Sequence, residues 1–252
     1  MNNSIITLTS DFGDKFAESQ IQLVIDGINP DAKFIVGHNA ITPFSIVEGA
    51  FIISKFYSFS KPGSIHIGVI DPGVGTNRRG LIIKTKNYWF IGPDNGLLFP
   101  AASLDKIETV YSINENKIGS LSNTFHGRDV FAKVAAYLSL SKPLHLFATE
   151  IGKKTIKKLF FEKNQAVHID PYGNVKLSSL PNDLAIGDIL TIENRGKKIN
   201  ARYCATFADV KPGQWLLYTG SHQTLELAIN LGSAAKTLGI MIEDMLSITR
   251  NK

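Results

Sequence analysis

The order of apolar segments in the first seventy residues constrains the fold more than any other feature of the chain. Ile5-Ile6-Thr7-Leu8-Thr9 is short, apolar and β-branched. It breaks at Ser10-Asp11-Phe12-Gly13-Asp14, which predicts a buried strand running into a loop that carries a carboxylate. Ile21, Val24, Ile25 and Ile28 then fall at i, i+3, i+4 and i+7, the stripe of an amphipathic helix ended by Asn29-Pro30. A strand follows at 34–36. Pro43 opens a second helix through Val47, Ala50, Phe51 and Ser54, and Lys61-Pro62-Gly63 turns the chain into a strand at 64–70. A β-α-β-α-β order predicts a mostly parallel sheet with right-handed crossovers, and such sheets take ligands at the carboxyl ends of their strands. Asp11 and Asp71 stand at two of those ends, and both are expected on one rim.

Further strands are expected at 81–85, 88–91 and 107–111. A helix is expected at about 128–139, with Phe131, Val134, Ala135 and Leu138 as its stripe. From Ala166 the texture changes to short alternating strands with turns at Pro171-Tyr172-Gly173-Asn174, Gly187-Asp188, Asn194-Arg195-Gly196 and Lys211-Pro212-Gly213. The fold class is therefore α/β: an N-terminal, mostly parallel sheet flanked by helices at 1–152, a basic linker at 153–164, and a smaller C-terminal antiparallel β-barrel at 165–252. No internal repeat is visible.

Composition removes several classes of function. With 44% hydrophobic residues over 252 positions the chain can bury a sizeable core, which rules out disorder. Its one cysteine, Cys204, allows neither an internal disulfide nor a thiolate cluster, and a reducing cytoplasm fits best. Met1 to Ser4 carries no basic leader and no apolar run approaches a membrane span, so neither export nor a membrane partner is expected. A net charge of +5 would suit a polyanion, but the lysines are scattered apart from Lys153, Lys154, Lys157, Lys158 and a later group at 195–198. No nucleic-acid partner is expected; an RNA-binding barrel would interleave aromatics with those lysines, and none occurs before Phe160.

Several motifs carry possible chemistry. Asp11-Phe12-Gly13 spells a kinase triplet but has only ten residues before it, and kinases place that triplet deep in the chain. Gly73-Val74-Gly75 is followed by Arg78 where a dinucleotide fingerprint needs a third glycine, so a Rossmann reading fails. Asp11 could accept both hydrogen bonds of a ribose cis-diol or simply form a turn. Asp71 could pair with Arg78 or Arg79 across a glycine-rich turn, or merely fasten a loop. His126 precedes a helix with Thr124 or Asp129 available as its cap, in a place suited to water or to an anion. His38, His66, His145, His168 and His222 lack metal-ligand spacing, and no metal is expected. Gly92-Pro93-Asp94-Asn95-Gly96 reads as a strong turn. Asp170, Tyr172 and Asn174 could hold an amino group, stack a purine and read its edge, or form a plain β-turn.

Taken in order, Thr9 to Gly13, Asp71-Pro72-Gly73-Val74-Gly75-Thr76 with Arg78, Gly92 to Leu98, Phe125-His126-Gly127-Arg128-Asp129, Asp170 to Asn174 and Leu225-Glu226-Leu227-Ala228-Ile229-Asn230 resemble the S-adenosylmethionine hydroxide adenosyltransferase family, which is related to fluorinase and chlorinase enzymes. The resemblance spans nearly the whole chain. It implies hydrolysis of S-adenosylmethionine to adenosine and L-methionine by attack of water-derived hydroxide at C5′, with no cofactor and the small molecule as substrate. Asp71, Arg78 and His126 would act on the water. Arg78, held by Asp71, would stabilise the hydroxide while His126 orients the water or relays the proton, and the sequence assigns no single base. Asp11 would hold the ribose, Asp170 the methionine ammonium, Tyr172 and Asn174 the adenine, and Ser221 the methionine carboxylate, with Asn230 part of the same binding set. A homotrimer with sites at its subunit interfaces is implied too. The alternatives are a halide-dependent adenosyl-halide synthase and a non-catalytic sensor of S-adenosylmethionine or adenosine; the sensor would have no use for the Asp71, Arg78, His126 trio. The chain departs from its relatives at 35–44, at Lys176, where halogenating enzymes carry an aromatic, and at His222.

Overall fold

The structure, a computed structural model, describes residues 4–119 and 122–251; the first and last residues of the two expected domains, 1 and 252, lie outside that range. The chain divides into two compact units, Met1–Leu159 and Phe160–Lys252. The expected linker is shared between them, its first residues forming a single 3-10 turn at Lys153–Thr155.

In the first unit β1 (Ile5–Ser10), α1 (Lys15–Ile28), β2 (Lys33–His38), α2 (Ile46–Phe56) and β3 (Ile65–Val69) follow the expected order. The side chain of Asp14 starts α1, accepting from the backbone N–H groups of Phe16 and Ala17 at 3.0 and 3.1 Å. Ser45, two residues beyond Pro43, caps α2, because its hydroxyl takes the N–H of Glu48. Then come β4 (Gly80–Thr85), β5 (Trp89–Pro93), α3 (Phe99–Leu104), β6 (Ile107–Ile113), α4 (Glu115–Ile118), a π-helical turn at Gly127–Ala132 continuing into α5 (Lys133–Ser139), and β7 (Ala148–Ile151).

The sheet order is β2-β1-β3-β5-β4-β6-β7. Here the expectation of a mostly parallel sheet is corrected. β1 pairs parallel with β2 and β3, and β3 with β5, whereas β4 with β5, β4 with β6 and β6 with β7 are antiparallel. Only residues 86–88 separate β4 from β5, far too few for a crossover, so the chain must turn back on itself there. Ile6 and Leu8 of β1, Ile67 of β3, Ile82 of β4 and Ile91 of β5 form one buried face, covered by Ile21 and Ile25 of α1 and by Val130, Phe131 and Val134. That burial drives the fold and holds the strand ends in place.

The second unit contains β8 (Ala166–Ile169), β9 (Val175–Leu177), β10 (Ile189–Asn194), β11 (Lys197–Cys204), β12 (Trp215–Thr219), β13 (Leu225–Ile229), α6 (Ala234–Leu238) and β14 (Ser247–Arg250). Their order is β14-β10-β11-β12-β13-β9-β8. All pairings are antiparallel except β11 with β12, which is parallel because the connection at 205–214 carries the chain back to its starting end. Backbone bonds from Ala166 to Asp244, from Glu243 to Ala166 and from Leu246 to Asn164 draw the two ends of the sheet toward each other. The result is a curled, half-barrel sheet in place of a uniformly antiparallel barrel.

Candidate active site

β1 and β3 lie side by side and parallel, with Ser10 opposite Val69, so Asp11 and Asp71 leave the sheet at the same rim. After Asp71 the chain folds into consecutive tight turns. The N–H of Val74 donates to the carbonyl of Asp71 at 3.1 Å, and the N–H and hydroxyl of Thr76 donate to the carbonyl of Gly73 at 3.2 and 2.7 Å. Asn95 anchors the base of this loop by donating to the carbonyl of Ile70 at 2.8 Å, which gives the turn at 92–96 a positioning task. Gly75 has φ of +77°, and a Cβ there would lie 2.7 Å from the carbonyl oxygen of Asn123, so glycine alone lets the loop before Arg78 approach the loop before His126.

These turns fold Arg78 back over Asp71. Its Nε donates to Oδ1 and Oδ2 at 3.0 and 2.9 Å, and its Nη2 to Oδ2 at 2.5 Å. The same Nη2 lies 2.7 Å from Nδ1 of His126. Nη1 reaches Oε1 of Glu115 at 3.4 Å, and the guanidinium lies 5.5 Å over the ring of Phe131. Spacing leaves two arginines open as partners of Asp71 and the resemblance picks Arg78; Arg78 makes the contact, while Arg79 turns away to Asp94 and to the carbonyl of Thr155. The side chains of all three members of the trio are buried, those of Arg78 and Asp71 7% and 6% exposed and that of His126 5%.

A guanidinium can only donate, so Nδ1 of His126 accepts here, and a neutral ring in this arrangement carries its proton on Nε2. His126 immediately precedes the π-helical turn, a distortion that recurs where a helix must present a functional side chain. Neither expected cap forms. Asp129 is held instead by a two-pronged pair with Arg128 at 2.8 Å, and Arg128 also donates to Gln20.

Asp11, Phe12, Phe44, Asp71, Phe125 and His126 are among the residues that line a cavity of about 100 Å³. Phe12 and Phe125 of this lining meet edge to face, ring centres 5.6 Å apart. Asp11 accepts from the N–H of Phe44 at 2.9 Å through Oδ2. Arg78 does not line this cavity. It stands behind Asp71 and His126 and lines a second, polar cavity of about 400 Å³ together with Asn77, Ser112, Asn114, Glu115 and Thr149.

In the second unit Asp170 organises the loop between β8 and β9. Its Oδ1 accepts from the N–H groups of Tyr172 and Asn174, and its Oδ2 from the amide of Asn174, at 2.9 to 3.0 Å. Gly173 has φ of +82°, and a Cβ there would collide with Ser233, so the turn requires glycine. Tyr172 is left 79% exposed, a free aromatic face. Ser221 is exposed beside His222, its hydroxyl 3.4 Å from Nδ1. Asn230 stands apart from this loop: its amide donates to the carbonyls of Phe207 and Val210 at 3.2 and 2.8 Å, fastening the connection between β11 and β12.

Three features escaped the sequence reading. Glu115 reaches both Arg78 and His126 from 37 residues beyond the arginine, with no local pattern to mark it. The N–H of Phe44 reaches Asp11 because Phe44 adopts a left-handed φ of 67°. Lys176, Glu226 and Tyr218 form a row across β9, β13 and β12, in which the buried Glu226 takes the ammonium of the half-buried Lys176 at 2.5 Å and the hydroxyl of the half-buried Tyr218 at 2.6 Å. Burial first, then the bond to Glu226, pushes the Tyr218 hydroxyl far above its usual range, so it remains a donor.

Among the described residues no group of three histidine, cysteine or acidic side chains could hold a metal ion, and no helix is long and apolar enough to cross a membrane.

Residues 6–148 match the SAM hydroxide adenosyltransferase N-terminal domain, and residues 164–247 match the C-terminal domain of the same name. The chain is 31% identical to an (R)-S-adenosyl-L-methionine hydrolase of Salinispora tropica, over 97% of both chains. A fluorinase of an Actinoplanes species is more distant, 23% identical over 60% of this chain and 58% of its own. A crystal structure of an uncharacterized conserved protein from Thermotoga maritima superposes with a TM-score of 0.88 at 28% identity, covering 97% of this chain and all of that one.

Proposed function

Because the chain belongs to the SAM hydroxide adenosyltransferase family, we propose that it is an S-adenosylmethionine hydrolase and that Asp71, Arg78 and His126 are the residues that act on the water. The enzyme hydrolyses S-adenosyl-L-methionine to adenosine and L-methionine. The observation that carries the site assignment is the contact of one Arg78 nitrogen with both Asp71 and His126 behind a cavity that Asp11 also lines.

The leaving group of this reaction departs as a neutral thioether and needs no acid. The difficulty lies with the nucleophile, which must shed a proton as it attacks in line with the C5′–S bond. Asp71 and His126 are the members of the trio that face the cavity. Nε2–H of His126 donates to the water and fixes its lone pair toward C5′, while the carboxylate of Asp71 accepts one of its protons. The O–H bond breaks as that proton passes to Asp71. The oxygen forms its bond to C5′, and the C5′–S pair leaves with sulfur. Arg78, whose N–H groups go to Asp71, His126 and Glu115, keeps these groups in register. Asp11, on the same rim, takes the ribose hydroxyls.

A cavity of about 100 Å³ admits only the reacting end of such a substrate, since ordinary ligand pockets measure roughly 300–1,000 Å³. The remainder of the site is supplied in a homotrimer, with Asp170 holding the ammonium, Tyr172 and Asn174 the adenine, and Ser221 the carboxylate, at an interface between subunits. The reaction needs no cofactor, and the single cysteine suits a cytoplasmic enzyme. Turnover of S-adenosylmethionine in isotopically labelled water tests the whole reading. Adenosine carrying solvent oxygen at O5′ is the expected product. 5′-Chloroadenosine in the presence of chloride would make the enzyme a halogenase, and tight binding without turnover would make it a sensor.

A further inference from the structure

We infer that Glu115 is a positioning residue of the hydrolysis, the anion that takes over as counter-charge to Arg78 when Asp71 receives the proton of the attacking water. The inference rests on the hydrolase reading above.

Charge balance within the cluster leads to it. Arg78 is buried against Phe131, and a guanidinium does not give up its proton, so its charge must be matched in place. In the resting cluster Asp71 supplies the match through three short bonds. Once Asp71 is neutral, the trio alone would hold a bare buried cation beside a carbon that is losing a sulfonium. Such an unmatched charge raises the barrier that the site should lower.

Among the described residues Glu115 is the other carboxylate that pairs with Arg78. Its Oε1 lies 3.4 Å from Nη1 of Arg78, the guanidinium nitrogen that Asp71 leaves open, and 3.4 Å from Nδ1 of His126. With His126 neutral, Asp71, Arg78 and Glu115 together carry one negative charge, which becomes zero when the proton arrives. A cluster of that charge accepts a proton next to a cation more readily than a neutral one.

The position of Glu115 is fixed by the backbone. The N–H of Asn114 donates to the carbonyl of Phe147 at 2.9 Å, and the N–H of Lys117 donates to that of Asn114 at 3.0 Å. Glu115 lines, together with Arg78, the polar cavity of about 400 Å³, which Asp11 does not line. Glu115 thus approaches the trio from that second cavity and does not line the one shared by Asp11, Asp71 and His126, which is why its action runs through Arg78.

The test uses the full-length enzyme and two variants. Glu115→Gln keeps shape and removes charge; kcat should fall by about tenfold or more while KM for S-adenosylmethionine stays within about twofold, because the charge is needed only in the transition state. Glu115→Ala opens the cavity. Added formate, a small carboxylate that fits it, should restore a substantial part of the lost kcat, and a merely structural role would give no such recovery. Parent-like kcat in Glu115→Gln, or a Glu115→Ala loss that formate leaves unchanged, overturns the inference and leaves the hydrolase reading intact. A parent enzyme that does not turn over S-adenosylmethionine in the same assay overturns both.

Discussion

Nη2 of Arg78 and Nδ1 of His126 lie 2.7 Å apart although 48 residues separate them in the chain, and the same nitrogen holds Oδ2 of Asp71. One guanidinium edge therefore sets the direction of both groups that face the cavity shared with Asp11. Groups joined in this way are expected to fail together.

Replacing Arg78 by Lys keeps the positive charge but loses the planar fork that spans Asp71 and His126. His126→Ala removes the donor proposed to hold the water. Each should lower kcat by about 10²-fold or more. The double variant should fall little further than either single, since removing one member already disables the unit. Steady-state rates of adenosine formation, with circular dichroism to verify folding, measure this. Fully multiplicative losses would mean that the residues act independently.

Tyr172 and Asp170 separate binding from local architecture. Tyr172→Ala removes an exposed ring, so unfolding free energy should stay within about 0.5 kcal/mol of the parent, while KM for S-adenosylmethionine rises. Asp170→Ala also removes the acceptor for three donors of its own loop, and should both lower stability and raise KM. Urea titration combined with kinetics distinguishes the two. A Tyr172→Ala enzyme with parental KM would remove that ring from the site.

For Asn230 the resemblance and the contacts point to different outcomes. Its amide fastens the carbonyls of Phe207 and Val210, and Asn230→Ala should cost about 1–3 kcal/mol in urea unfolding by leaving them unmet. Binding by the correctly folded fraction should be unchanged. A raised KM with parental stability would place Asn230 among the substrate-binding residues after all.

His66 predicts the acid side of the stability curve. It is buried beneath Tyr57, Tyr88 and Phe90, with Nδ1 2.8 Å from the hydroxyl of Thr7 and Nε2 3.2 Å from that of Ser60. Burial lowers its pKa from 6.5 to about 4, against a smaller opposing pull from Asp105. The unfolded chain therefore binds a proton below about pH 6.5 that the fold refuses until about pH 4. The stability contributed by the neutral imidazole is whole above pH 6.5, declines as pH falls through that window, and amounts to roughly 3 kcal/mol in total. Urea unfolding at successive pH values should trace that decline, and His66→Gln should flatten it.

Much of the first unit was legible in the sequence because periodicity is local. The stripe Ile21, Val24, Ile25, Ile28 and the β-branched run before Asp11 report burial directly, and the structure places α1 and β1 there. The direction of β5 against β4 was also in reach, since the interval between them is too short for a crossover, yet the β-α-β order ahead of it suggested one parallel sheet throughout. The parallel step from β11 to β12 was hidden, because a turn signal at Lys211-Pro212-Gly213 does not say which edge the returning strand will join.

The sequence by itself determined the rim. Asp11 and Asp71 end two neighbouring parallel strands, and their placement follows from chain order and the handedness of crossovers. Which ring nitrogen meets Arg78, and that Glu115 comes within reach, were decided only by tertiary structure. Those contacts depend on side-chain directions at the ends of loops 7, 37 and 48 residues apart, and packing against Phe131 and the close approach at Gly75 fix them. A pattern of neighbours along a chain carries no record of such distances.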